Sequence, residues 1–190
     1  RLGFRFCTKK SKRAKVLNRW NKLLKGEITM TTHELENCFK LIGKDWMLIT
    51  AKNQEGKVNT MTASWGGFGH LWNKDVVYIF IRPQRHTLKF IDDSEYFTIS
   101  FFEDKYKKEL AYLGKVSGRD ENKIEKSGLS IVNDGKYASF EEERIVLKCR
   151  KLAKQQIDPK GFIDESIQGY YPENDYHYMF IGEIVEVEQK

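Results

Sequence analysis

Residues Asp75–Phe102 have the sequence DVVYIFIRPQRHTLKFIDDSEYFTISFF, which contains the longest apolar run of the chain, Val76–Ile81. Asp75–Arg82 is an apolar run rich in β-branched and aromatic residues, which predicts a buried strand that ends at Pro83. Tyr96–Phe102 predicts a second strand of the same kind. Between the two strands, Gln84–Asp93 carries apolar residues at helical spacing, which predicts a short helix.

The sequence on either side adds more short strands and few helices. Trp46–Ala51 and Lys57–Ser64, with turn residues between them, predict a hairpin. Further along, the pattern predicts a helix that begins at an N-cap, Asp104, runs to Leu113 and is ended by Gly114. It then predicts a half-exposed strand over Ile145–Arg150 and a short helix over Pro159–Gln168. A closing strand is predicted over Tyr178–Val187, with an interruption at Gly182. Many short strands with few helices are typical of a closed or partly closed β-barrel. We therefore expect a mainly β fold, a barrel with short helical insertions.

Size and charge exclude several classes of protein. The chain has 190 residues, 40% of them hydrophobic, which suits one packed domain. It has no apolar run near the ~20 residues of a membrane-spanning helix, so no membrane partner is expected. Residues 1–29 carry ten Lys and Arg against one acid, a net charge of +9, whereas residues 30–190 carry 23 against 26, a net charge of −3. The whole-chain charge of +6 therefore does not predict nucleic-acid binding by the domain.

The basic leader, residues 1–29, has three interpretations. It has a single Ser, which argues against a transit peptide. A basic arm for nucleic acid or an anionic membrane is a second interpretation, with a weak apolar stripe at Trp20, Leu23 and Leu24. We favour the third, that translation starts at Met30, because Lys25-Gly26-Glu27 can be encoded by a purine-rich ribosome-binding sequence. The domain is then residues 30–190, and the leader is not part of the native fold.

Cysteine usage and missing motifs narrow the chemistry. Cys7, Cys38 and Cys149 are isolated, which predicts neither a disulfide framework nor a zinc site and favours a reducing compartment, the cytoplasm. No phosphate-binding glycine loop, zinc-protease helix motif or nucleophile elbow occurs. The four histidines are scattered without metal-ligand spacing. We therefore predict no catalytic side-chain constellation and no metal site.

Two segments nevertheless carry binding chemistry. Asn59–Trp65 is the end of a strand crowded with hydroxyl and amide groups beside a large ring, and such groups can bind the edge and face of a flat heterocycle. From composition alone, an ordinary Thr-rich strand is the better explanation. Arg82–Thr87 follows the most apolar strand and offers two guanidinium forks suited to phosphate oxygens. The alternative interpretation of Arg82–Thr87 is a solvated basic turn without a ligand.

The order and spacing of these segments resemble a known family. Asn59-x-Met61-Thr62-x-x-Trp65, then Arg82-Pro83-x-Arg85-x-Thr87, Ser117-Gly118-Arg119-Asp120 and the closing His177-x-Met179-x-Ile181-Gly182-Glu183 are similar to the flavin reductase-like, FMN-binding split-barrel family, which includes flavoredoxin. The resemblance spans about Asp45 to Val187. It implies a split barrel that works as a homodimer, with FMN held near the subunit interface.

The resemblance also implies roles for particular residues. Flavin-ring contacts fall on Asn59, Met61, Thr62, Ser64 and Trp65; phosphate contacts fall on Arg82, Arg85 and Thr87; further cofactor contacts fall on Ser100 and Ser117; and His177 matches a histidine placed beside the nicotinamide. Two departures stand out: many relatives have Asn where this chain has Ser100, and Cys where it has Leu113. Thiol chemistry therefore does not carry over from the family.

The function implied is an FMN-dependent oxidoreductase that takes electrons from NADH or NADPH. No protein nucleophile is required, because the flavin carries the reaction. The alternative is an FMN electron carrier of the flavoredoxin type that exchanges electrons with protein partners. A nucleic-acid-binding module that uses the leader is a third hypothesis, and the −3 charge of the domain argues against it.

Overall fold

A computed structural model describes residues 28–30, 32, 35 and 37–190. Residues 1–27 of the basic leader lie outside the described residues, and its last two residues, Ile28 and Thr29, belong to the first strand. The described part of the chain contains ten strands: β1 (Ile28–Met30), β2 (Met47–Lys52), β3 (Val58–Ala63), β4 (Gly66–Leu71), β5 (Lys74–Ile81), β6 (Tyr96–Phe102), β7 (Ile131–Asp134), β8 (Tyr137–Phe140), β9 (Glu143–Gln156) and β10 (Tyr178–Gln189).

Helices are short and connect the strands. They are α1 (Cys38–Lys40), continued by a π-helical turn Leu41–Asp45, then α2 (Thr87–Asp93), α3 (Lys107–Lys115) and α4 (Lys123–Ser127). Short 3₁₀ turns occupy Asp104–Tyr106, Pro159–Gly161 and Glu165–Tyr170. No helix among the described residues is long and apolar enough to cross a membrane.

One antiparallel sheet organises the molecule. Its strand order is β3-β2-β6-β9-β10-β5-β4, and β1 pairs with β10. Strand β4, at one end of this order, packs over the same core as β2 and β6 near the other end. Phe68 of β4 meets Phe101 of β6 with ring centroids 6.4 Å apart, and a Cβ built on Gly66 of β4 would stand 3.0 Å from the side chain of Met47 in β2. The sheet is therefore a partly closed barrel, and the expected mainly β fold with short helical insertions is confirmed.

Several element predictions are confirmed and others need correction. The hairpin and the Tyr96–Phe102 strand are present. The 145–150 strand was predicted to be half-exposed, which is wrong. It lies in the middle of the sheet, and the β7–β8 hairpin packs near its other face, so residues 145–149 are all buried. Gly114 does not end a helix but lies inside α3. The strand β4 was missed because glycines disfavour strands.

The interruption expected at Gly182 has a clear cause. The pairing of β10 with β9 shifts register between Ile181 and Gly182. A Cβ at Gly182 would overlap the ring of Phe97. Glycine at this position therefore lets strand β10 bend close over an aromatic core residue.

Candidate functional site

A cleft of about 360 Å³ opens where the ends of β3 and β5 meet the start of β10. The antiparallel pairing of β10 with β5 matches Tyr178 to Ile81, so the next residues along each strand, His177 and Arg82, come side by side. The cleft therefore gathers residues that are far apart in the chain. Its lining is Met61, Thr62, Ala63, Ser64, Trp65, Phe80, Arg82, Arg85, Gly114 and His177.

Seven of the eleven residues predicted for the site line this cleft. They are Met61, Thr62, Ser64, Trp65, Arg82, Arg85 and His177. The lining also includes Phe80 and Gly114, which are not among the predicted site residues. A Cβ on Gly114 would stand 3.1 Å from Thr62 Cβ, so glycine lets helix α3 approach strand β3 closely at this wall.

Aromatic rings form one wall and the rim. Trp65 is 43% exposed and Tyr170 is 58% exposed. Their ring centroids are 5.6 Å apart in an edge-to-face arrangement, and the Trp65 and His177 centroids are 5.2 Å apart. A half-exposed Trp beside a buried imidazole offers a face for a flat ring.

His177 is a neutral group in this wall. It is 8% exposed, and its Nδ1 lies 2.9 Å from the hydroxyl of Tyr171. Burial, and secondarily the positive charge of Arg82, lower the pKa of His177 to about 4. The imidazole therefore carries no charge at pH 7 and acts as a hydrogen-bonding group.

Arg82 is neutralised within the protein. Its guanidinium donates to Asp175 Oδ2 at 2.5 Å and to the Tyr170 carbonyl oxygen at 2.7 Å. The amide of Gln84 also donates to Asp175 Oδ2, at 2.6 Å. Arg82 thus fastens the 170–175 segment beside the cleft. The resemblance assigns Arg82 to the phosphate, but its positive charge already has a carboxylate partner.

Arg85 differs because its partner is not a carboxylate. It donates to the carbonyl oxygen of Gly114 at 2.8 Å. Nearby, the ammonium of Lys123 donates to the carbonyl oxygens of Leu113 and Val116 at 2.8 and 2.9 Å. Both cations occupy the C-terminal end of α3, where free carbonyls and the helix dipole favour positive charge. Among the described residues neither forms an ion pair with an acid.

Burial dominates the electrostatics of this cation pair. It lowers the pKa of Arg85, whose guanidinium nevertheless stays charged. Burial, with the charge of Arg85 contributing, lowers the pKa of Lys123 to about 8. The end of α3 therefore holds excess positive charge. Lys123 is not among the predicted site residues, because it is one lysine in a polar segment and carries no distinguishing local signal.

Four predicted site residues do not line the cleft. Asn59 donates its amide to Thr87 Oγ1 at 2.9 Å, and both side chains are buried. Ser100 is fully buried and donates to Glu143 Oε2 at 2.7 Å. Ser117 Oγ accepts from the backbone N–H of residue 119 at 3.2 Å. The contacts of Asn59, Thr87 and Ser100 therefore lie inside the protein, and the contact of Ser117 lies at the surface.

The hydroxyl groups that do line the cleft are on β3 and the turn after it. Thr62 Oγ1 donates to the Leu110 carbonyl oxygen at 2.5 Å, which ties β3 to α3. Ser64 lies beside Trp65 in the lining. No group of three metal-ligating side chains occurs in the described part of the chain. The cleft is a hydrogen-bonding and aromatic site with a positive end.

Comparisons with known proteins agree with this geometry. The family model described as "Flavin reductase like domain" matches residues 40–190. An FMN-binding domain of a flavin reductases-like enzyme from Shewanella baltica OS155 is similar to the chain, with TM-score 0.63 and 18% identity over 86% of this chain and 76% of that one. Flavoredoxin of Desulfovibrio vulgaris (Miyazaki F) is similar with TM-score 0.61 and 21% identity, over 85% and 77%.

A third solved structure is also similar to the chain. It is the styrene monooxygenase flavin reductase (SMOB) from Pseudomonas putida S12, with TM-score 0.57 and 14% identity over 76% of this chain and 79% of that one. A comparison with curated proteins found no match. The structural similarities show a shared fold, and the family model covers most of the chain. The chain therefore belongs to the flavin reductase-like family.

Proposed function

We propose that the protein is an FMN-binding oxidoreductase of the NAD(P)H-dependent flavin reductase type. One observation carries the proposal: two neighbouring cations, buried Lys123 and partly buried Arg85, have no carboxylate partner among the described residues, and Arg85 lines the aromatic cleft. Charge buried without a counterion is costly, so the site favours an anionic ligand. A ligand with a phosphate at one end and a flat ring at the other fits both halves of the cleft.

FMN meets both requirements. Its phosphate would lie toward Arg85, with Lys123 adding positive charge from behind. Its ring would lie against Trp65, with Ser64 and the oxygen of Thr62 available at its edge. When bound, FMN supplies hydride and electron transfer. No carboxylate lines the cleft, so the protein's own contribution is to bind the cofactor, orient it and exclude water.

The electron donor is the finer part of the proposal. We assign it to NADH or NADPH, which would approach the cleft past His177 and the rim at Trp65 and Tyr170. The structural similarity to a flavoredoxin supports a second candidate, an electron carrier that meets a protein partner at this exposed aromatic rim. The two differ only in whether a nicotinamide nucleotide reduces the bound flavin.

Assembly and location are also proposed. Strand β4 is an end strand of the sheet, and exposed Trp65 and Trp72 lie next to its two ends. Exposed aromatic surface beside an unpaired strand edge favours association, so we propose a homodimer. Cys38 and Cys149 are free thiols, which is consistent with a cytoplasmic location. Sedimentation velocity of the purified protein tests the dimer.

The phosphate assignment is tested by comparing FMN with riboflavin, which lacks the phosphate. Arg85→Gln should weaken FMN binding about tenfold or more and leave riboflavin affinity within about twofold, because only the charge-assisted contact is removed. Lys89→Gln is the matched control, since Lys89 is an exposed cation on α2 and contributes no cleft lining. Equal losses for both ligands would show that Arg85 does not hold the phosphate.

The electron donor is tested on the FMN-loaded protein without oxygen. Rapid bleaching of the flavin absorbance by NADH or NADPH supports the reductase and identifies the preferred nucleotide. Flavin that stays oxidised with both nucleotides supports the carrier. Absence of any FMN binding would refute both candidates.

A further inference from the structure

Tyr171 lies behind His177 in the wall of the cleft and is held from several sides. Its side chain is 3% exposed. The ring stacks on Phe162 with centroids 6.1 Å apart and meets Tyr176 at 5.0 Å. The Arg82 guanidinium lies 5.3 Å from the ring centroid. These contacts fix the direction of the hydroxyl group, which lies 2.9 Å from His177 Nδ1.

The direction of this hydrogen bond follows from what else the hydroxyl contacts. Burial raises the pKa of Tyr171, so the phenol keeps its proton at neutral pH. Its oxygen has no other hydrogen-bond partner among the described residues. If His177 were the donor, the buried phenol proton would have no acceptor, and an unsatisfied buried donor is costly. Tyr171 therefore donates, and Nδ1 accepts.

We infer that Tyr171 is a positioning residue that selects the tautomer of His177 in which Nε2 carries the proton. With Nδ1 occupied, Nε2 is the imidazole nitrogen left for a ligand, and it has no hydrogen-bond partner among the described residues. The cleft then presents one uncharged N–H donor, which matches an uncharged carbonyl or carboxamide oxygen. The ligand's identity rests on the proposed function, under which the carboxamide of the nicotinamide nucleotide supplies that oxygen.

Arg82 and Asp175 support the same arrangement. Their ion pair, at 2.5 Å, joins the end of β5 to the segment that carries Tyr171. Arg82 also binds the carbonyl oxygen of Tyr170, the preceding residue, at 2.7 Å. Two anchors next to Tyr171 hold its backbone while ring contacts hold its side chain. The structure thus supports a role for Arg82 in holding the segment that carries Tyr171.

The tautomer can be measured directly on the full chain without any cofactor. Nitrogen-15 NMR of histidine-labelled protein distinguishes a protonated ring nitrogen from an unprotonated one, and His177→Gln identifies the His177 signals. We expect Nε2 protonated and Nδ1 unprotonated in the wild type, and a mixture of tautomers in Tyr171→Phe. Tyr176→Phe is the matched control, because its hydroxyl binds Gln168 and Asn174 instead of His177. An Nδ1-protonated wild type, or an unchanged tautomer in Tyr171→Phe, would overturn the inference.

A second measurement tests the ligand. In FMN-loaded protein, Tyr171→Phe should raise KM for the preferred nucleotide about fivefold, the value of one misplaced neutral hydrogen bond, and leave FMN affinity unchanged. Tyr176→Phe should change neither. Equal KM values for the two variants would refute the carboxamide assignment. If FMN does not bind at all, the proposed function fails, and the NMR result still decides the role of Tyr171.

Discussion

His177 should make the stability of this protein depend on pH in a way that one substitution removes. In the folded protein its pKa is about 4, against an ordinary value of 6.5, because the imidazole is buried and lies near Arg82. As pH falls below 6.5, the unfolded chain gains a proton on this side chain and the folded protein does not. Stability is therefore lost between pH 6.5 and about pH 4, and above pH 6.5 this group contributes no pH dependence.

The size of the effect follows from the two pKa values. At pH 5 the unfolded imidazole is almost fully protonated and the folded one is still mostly neutral, so the loss relative to pH 7.5 is about 2 kcal/mol. Carboxyl groups also titrate in this range. The informative quantity is therefore the difference in unfolding free energy between the wild type and His177→Gln, whose side chain does not titrate.

Urea denaturation at pH 5 and at pH 7.5 measures this difference. We expect the wild type to lose about 2 kcal/mol more than His177→Gln on acidification. Lys89→Gln, at an exposed position on α2, is the control and should lose as much free energy on acidification as the wild type. If wild type and His177→Gln lose the same free energy, His177 is not held neutral by burial, and the description of the cleft wall is wrong.

Three other outcomes follow from the same contacts. Binding of FMN at pH 8 should be accompanied by uptake of about 0.4 proton at Lys123, because a nearby phosphate raises the Lys123 pKa from its value of about 8. Calorimetry in buffers of different ionisation enthalpy measures this uptake, which should be absent in Lys123→Met. Gly182→Ala should cost about 1–3 kcal/mol in urea denaturation, because the new methyl group overlaps the ring of Phe97. Ser100→Ala should leave FMN affinity within about twofold but lower the free energy of unfolding by about 1 kcal/mol, because it removes a buried hydrogen-bond partner of Glu143. A large loss of FMN affinity would show that Ser100 does contact the cofactor.

The strands of this protein were predictable because their signals are local. Tyr96–Phe102 has the predicted bounds, and the hairpin strands differ from the prediction by one residue or so at each end. An apolar run between turn residues needs no distant information to be recognised. The failures had distant causes. The 145–149 run alternates like a half-exposed strand, and only the neighbouring β7–β8 hairpin explains why it is buried.

In the candidate site too, the features with local signals were predictable and those with distant causes were not. Six of the seven strands along the sheet, all but β4, follow from the sequence, as do the hydroxyl-rich strand end at Thr62–Trp65 and the basic turn after β5, because residue type and spacing are local properties. Only the tertiary structure decided that Asp175, 93 positions away, neutralises Arg82. It likewise brought Lys123 to the carbonyls beside Arg85. Whether a cation is paired with a carboxylate or is left to bind an anionic ligand depends on partners that the fold brings together. No local sequence pattern encodes these partners.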